Sequence, residues 1–258
     1  MKKLLLAVAF SFIAFNASAS LVGQWDFQGG SLADSQGHFG DLQLYGNAQV
    51  VDGKLDVTGS GSNPTGWAET TGTYSGPAIQ SHTLVSWITL QGLQNVAYAG
   101  SAMTIDSNLT DKFDGIVFGE QQANTWSSGS SYGERTQTFN PGFQETSIGT
   151  MIEMALSYQD LGNDLMKVTG YRDGIEIGQY TTSNASSWAT GEAEILFGRR
   201  HSRNGGGLDG EIEEARLYDV ALTQTEIAAL TPVPEPATLA LFGLGLLGFG
   251  VSRRKSVK

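Results

Sequence analysis

The chain of 258 residues contains no cysteine. Disulfides, thiolate metal centres and cysteine nucleophiles are therefore excluded, and stability must come from the core, aided at most by a metal ion. Histidine is nearly as scarce. His38, His82 and His201 lie far apart and in no metal-ligand spacing. Basic residues are few, 15 against 26 acidic ones. Six of them (Lys2, Lys3, Arg253, Arg254, Lys255, Lys258) lie at the ends with one acid, Glu235. The stretch between carries nine basic and 25 acidic residues, a formal charge of −16. So acidic a body repels nucleic acid and anionic lipid and tolerates divalent cations. Helical periodicity is almost absent, internal repeats are absent, and proline is limited to six positions.

What is present begins with the ends. MKKLLLAVAFSFIAFNASAS has two lysines, an apolar run from Leu4 to Phe15 and small residues at Ala17-Ser18-Ala19, the layout of a secretory signal peptide cut after Ala19. The opposite end reads VPEPATLALFGLGLLGFGVSRRK. From Ala237 to Val251 it is small and apolar apart from Thr238. As a helix this run spans about 22 Å, short of the ~30 Å hydrocarbon core. Arg253, Arg254, Lys255 and Lys258 would hold its end on the cytoplasmic side. Pro234 and Pro236 detach the run from what precedes it. The order Pro234-Glu235-Pro236, apolar run, Arg253-Arg254-Lys255 resembles the PEP-CTERM sorting signal of Gram-negative bacteria. That resemblance implies export to the cell envelope or extracellular matrix. It also implies processing by an exosortase in the inner membrane, held only transiently through the tail, and an association with extracellular polysaccharide. An ordinary C-terminal membrane anchor is the other reading of the same run.

Between a signal peptide at 1–19 and a sorting segment at 231–258 lies one domain, 20–230. Glycine accounts for 34 residues of the chain, roughly twice the usual share. Short runs alternate apolar and polar residues between Gly, Asn, Asp and Ser: LVGQWDF, GDLQLYG, GKLDVTG, TLVSWITL, AYAGSAMTI, DGIVFGE, IEMALSYQ, LMKVTGYRDG, IEIGQYT, AEILFGR and EIEEARLYD. This pattern predicts half-buried strands, and their number without intervening helices predicts an all-β antiparallel sandwich of two sheets. Asp173-Gly174 predicts a type I′ hairpin turn. Thr223 and Glu226 form a T-x-x-E capping box for one short helix, with Ile227 and Leu230 facing the sheet.

The body also resembles laminin-G-like, concanavalin A-like jelly-roll domains. Trp25, Phe27, Asp34 and Gly37 match the opening strand and loop. Trp87 matches a core strand, YRDGIEIG the hairpin, and GEIEEARLYDVALTQTEIAAL the closing strand and helix. Strict alternation along GEIEEARLYD places Glu213 inward with Ala215 and Leu217. An inward carboxylate needs a partner, either a cation or an arginine or solvent. The resemblance implies a structural calcium ion, with Glu213 where an aspartate is often found and Asp34 as second ligand. Asp34 capping a turn is the alternative.

The same fold carries glycoside hydrolases, whose usual strand signature E-x-D-x-x-E is missing here; GEAEIL offers only Glu192 and Glu194. A non-catalytic role follows from that absence. The polar and aromatic segment NTWSSGSSYGERTQTFNPGF offers Trp126 and Tyr132, with Phe139 and Phe143, as stacking groups for sugar rings, or as anchors that pin a loop. Arg199, Arg200 and Arg203 form the basic patch, able to grip an acidic glycan or to offset nearby carboxylates. The expected function is an exported surface or matrix protein that binds glycan or a surface partner. A glycan hydrolase or lyase on the same fold, and a matrix protein without ligand, are the other readings.

Overall fold

The computed structural model describes residues 20–60, 63–93, 100–202 and 205–232. The expected signal peptide at 1–19 and the sorting residues Pro234, Glu235, Pro236, Arg253 and Arg254 lie outside the described residues, as does Arg203. Among the described residues fourteen strands run in order: β1 (Leu21–Trp25), β2 (Leu42–Gly46), β3 (Gln49–Val51), β4 (Lys54–Ser60), β5 (Asn63–Thr70), β6 (His82–Leu90), β7 (Ser101–Ser107), β8 (Phe113–Phe118), β9 (Trp126–Ser130), β10 (Met151–Gly162), β11 (Leu165–Arg172), β12 (Ile175–Ser183), β13 (Ala193–Phe197) and β14 (Gly210–Tyr218). One helix, α1 (Gln224–Ala228), follows them.

All pairings are antiparallel, and the hydrogen-bonded path is β12-β11-β10-β6-β14-β4-β5-β13-β7-β8-β9. The expected all-β architecture is present, with one refinement. The ribbon is continuous instead of being two separate sheets, because β4 belongs to both halves. Its first part, Leu55 to Val57, pairs with β14, and its last part, Thr58 to Ser60, pairs with β5. The ribbon bends there, and its two leaves face one core. From one leaf come Leu84, Ile88, Leu156 and Val168, from the other Ile105, Ile116, Ile195 and Phe197. Burying such side chains fully contributes about 1.5–3 kcal/mol each.

β6 is buried along its whole length. Its Leu84, Ile88 and Leu90 enter the main core, while Val85 and Trp87 join a second cluster with Ala155, Tyr171, Tyr218, Leu222 and Ile227 on the outer face. The second cluster exists because α1 covers that face. The Thr223 side chain accepts from the Glu226 N–H and Glu226 reaches back to the Thr223 N–H, so the capping box forms as expected. Ile227 is fully buried and Leu230 packs beside it. Asp173 and Gly174 have φ of 50° and 71°, as the I′ turn between β11 and β12 requires.

A buried polar knot ties the long connection after β9 to the core. The Arg135 Nε donates to Asp114 Oδ1 at 2.9 Å, and its other nitrogens reach the carbonyls of Phe113 and Asn184 at 2.8 and 3.1 Å. Ser186 donates to the second oxygen of Asp114, and His82 Nε2 stands 3.5 Å from it. Burial pushes the Asp114 carboxyl up, but Arg135, His82 and Ser186 outweigh it and hold the group below the usual carboxylate range.

Candidate functional site

The connection between β9 and β10 crosses from the edge of one leaf to the other. Phe139 inserts into the main core against Gly170, where a Cβ would come within 2.7 Å of its ring, and the Gly142 N–H donates to the Ile177 carbonyl at 2.8 Å. Opposite it, the loop before β9 is pinned by Thr125 Oγ1 to the Gln122 carbonyl at 2.9 Å and by Gln144 Nε2 to the Ala123 carbonyl at 3.3 Å. Between the two segments opens a cleft of about 300 Å³, lined by Gln122, Thr125, Trp126, Thr138, Phe143 and Gln144 among others. It presents amides, hydroxyls and an aromatic ring, and its lining contains no ionisable side chain.

One guanidinium holds both aromatic walls. Arg172, at the end of β11, makes a two-pronged pair with Glu145 at 2.7 and 3.1 Å, and Glu145 Oε1 accepts the Trp126 Nε1–H at 3.0 Å. The same guanidinium lies 4.3 Å from the centre of the Phe143 ring. Asp173 pairs with it as well. Burial alone would lower the Arg172 pKa; Glu145 and Asp173 raise it instead, so the charge is kept and fully matched. Fork-shaped pairing and ring stacking are both arginine properties, so lysine would not reproduce the clamp.

The residues expected to form sites are distributed otherwise. Trp126 is 2% exposed and packs on Phe118 at 4.7 Å between ring centres. It is a wall of the cleft and a core residue, a correction to its expected role as an open stacking platform. A bulky ring at the start of an edge strand gains more from burial than from exposure. Tyr132 is 85% exposed, with φ of 48° and its hydroxyl on Asp111. Trp126 opens β9 and Tyr132 lies beyond its end, and Tyr132 does not line the cleft that Trp126 lines.

The expected cation ligands are also placed apart by function. Asp34 is buried, and its two oxygens accept the N–H groups of Gln24, Gln36, His38 and Phe39 at 2.9–3.1 Å. Four donors match the lone-pair capacity of a carboxylate, so Asp34 acts as the cap of its turn. Strict alternation fails in β14, because the register slips between Ile212 and Glu214. A bulge at Glu213 turns it to the rim, where it pairs with Lys54 at 3.2 Å. The buried carboxylate is Glu214, 1% exposed, bonded to Gln24 at 2.7 Å and Arg216 at 2.6 Å. Among the described residues no group of three or more acidic or histidine side chains is arranged to hold a metal ion. In the basic patch, Arg200 pairs with Glu120 and Arg199 lies 5.1 Å from the Trp67 ring.

A bent antiparallel ribbon with two leaves over one core, and a cleft between rim loops, defines a jelly-roll domain of the lectin type of fold. The chain belongs to the concanavalin A-like lectin/glucanases superfamily, whose Laminin_G_3 model matches residues 61–228. Residues 232–255 match the PEP-CTERM protein-sorting motif, a signal of export. Among solved structures, domain 4 of an extracellular GH43 arabinanase from Geobacillus stearothermophilus, in complex with arabinotriose, aligns with a TM-score of 0.54 at 18% identity over 81% of this chain and 97% of that one. The structure of botulinum neurotoxin type C, whose cell entry depends on two ganglioside molecules, aligns at 0.56 and 14% identity over 81% of this chain. The binding domain of botulinum neurotoxin DC in complex with SialylT aligns at 0.55 and 14% identity. The chain spans about half the length of each toxin structure. A search of curated protein sequences returns no match.

Proposed function

We propose that the domain is an exported, non-catalytic carbohydrate-binding module, and that its binding site is the cleft between the loop before β9 and the connection after it. The observation that carries this reading is the lining. A partly exposed Phe143 ring, contacted by the Arg172 guanidinium, stands among the side chains of Gln122, Thr125, Thr138 and Gln144. Sugars offer apolar ring faces and hydroxyl edges, and such a surface supplies a partner for each. Hydrolysis of a glycosidic bond needs two facing carboxylates, and the cleft lining has none. The carbohydrate ligands of the arabinanase domain and of the toxins agree with the reading. The sorting motif supports delivery to the envelope or surface of a Gram-negative bacterium, processing by an exosortase, and extracellular polysaccharide as the material met there.

The test is a binding panel of soluble oligosaccharides and polysaccharides against the parent and Phe143→Ala, with circular dichroism to verify folding. Saturable binding that weakens about tenfold in the variant supports the proposal. A flat response favours a structural matrix protein, and release of reducing ends would identify a hydrolase.

A further inference from the structure

Resting on the reading above, we infer that the saccharide recognised in the cleft is neutral: a glycan of hydroxylated rings without carboxylate, sulfate or sialic acid groups. Binding an anionic sugar in a partly desolvated cleft requires an available cation or several converging N–H donors. The lining supplies neither lysine, arginine nor histidine. Arg172 contacts the Phe143 ring but is not part of the lining, and its charge is met by two oxygens of Glu145 and by Asp173. Glu145 itself is buried, occupied by the Trp126 Nε1–H and by Arg172, and so adds no acceptor at the surface. Arg200 is engaged with Glu120.

The long-range field points the same way. Between the two terminal segments the chain carries nine basic and 25 acidic residues, and a polyanionic glycan approaching it is repelled at moderate ionic strength. Amides and hydroxyls are neutral donor-acceptor groups suited to sugar hydroxyls. Gln144 occupies the position where one substitution would change the class of ligand, because it is exposed and lines the cleft.

The experiment is calorimetric titration of the full chain with neutral arabino-, xylo- and malto-oligosaccharides and with polygalacturonate and sialyllactose. Each is run at 50 and 500 mM salt, on the parent, Phe143→Ala and Gln144→Lys. Expected are binding within the neutral set, a salt effect below about twofold, loss of about tenfold in Phe143→Ala, and affinity for polygalacturonate gained only in Gln144→Lys. Tighter or salt-sensitive binding of an acidic sugar to the parent would overturn this inference and leave the carbohydrate-binding reading standing. No binding of either set, or binding untouched by Phe143→Ala, would overturn both.

Discussion

Replacing Glu153 by glutamine should stabilise the domain increasingly as pH rises. Glu153 lies in β10 opposite Trp87, is 8% exposed, and its Oε1 has no hydrogen-bond partner. Burial and the nearby Asp173 push its pKa up from 4.5 to about 7, against the pull of Arg216 and Trp87. The folded state therefore holds this proton more tightly than the unfolded chain does. Its contribution is intact below about pH 4.5 and is lost as pH rises through about 7. A gap of about 2.5 pH units at about 1.4 kcal/mol per unit gives about 3 kcal/mol lost at pH 8. Glutamine keeps the shape without the charge but forgoes the attraction of Arg216, so the expected gain at pH 8 is between about 1 and 3 kcal/mol. Urea unfolding of parent and variant at pH 4.5, 6, 7 and 8 measures it. Taking the difference at each pH cancels groups common to both, such as His201. There burial lowers the pKa, but Asp106 and Asp111 raise it on balance. A difference that stays constant with pH, or a glutamine variant less stable at pH 8, would refute the reasoning.

Removing Arg135 as Arg135→Met leaves Asp114 charged and buried, and should cost about 3–5 kcal/mol in chemical denaturation; a cost below 1 kcal/mol would contradict the knot described for the core. Trp126→Ala should destabilise by about 3–5 kcal/mol through the cavity it leaves, while Tyr132→Ala, removing an exposed ring, should change stability by less than about 0.5 kcal/mol. Arg172→Lys should fold but weaken sugar binding, since an ammonium cannot hold Glu145 with two prongs and lie on Phe143 at once; unchanged affinity would remove Arg172 from the cleft's support. Because the oxygens of Asp34 are filled by backbone donors and Glu213 is paired with Lys54, the melting temperature of the parent is expected to be unchanged by a chelator. A clear drop would point to a bound calcium ion and direct attention to these two residues.

Eleven strands were legible from alternation alone, and so were the Asp173-Gly174 turn and the capped helix, because each is specified by residues close together in the chain. Three strands were not. β3 is only three residues long, β5 opens with Asn63-Pro64 and includes Gly66, and β9 reads WSSGS. Their pairing comes from neighbours, not from their own propensity. Gly66 shows why a weak strand former is present: a Cβ there would lie 2.6 Å from the Ala48 nitrogen. The long connection after β9 was marked by its composition as a place for function. Phe143 was among its aromatic candidates, but Gln144 within it and Gln122 before β9 were missed, since nothing in linear order tells a cleft wall from an exposed loop.

Composition, periodicity and the terminal signals by themselves determined that the chain is all-β, acidic, free of thiol chemistry and directed out of the cytoplasm, because all of these depend on residue type and short-range order. Tertiary structure alone decided that Trp126 is buried while Tyr132 stands in solvent, that a bulge carries Glu213 to the rim while Glu214 is buried against Arg216, and that Arg172 in β11 clamps Trp126 through Glu145 and lies on Phe143, both far from it in sequence. The reason is physical: side-chain direction along a strand reverses with a single extra residue, and a site built across two leaves exists only once the ribbon has bent to bring them together.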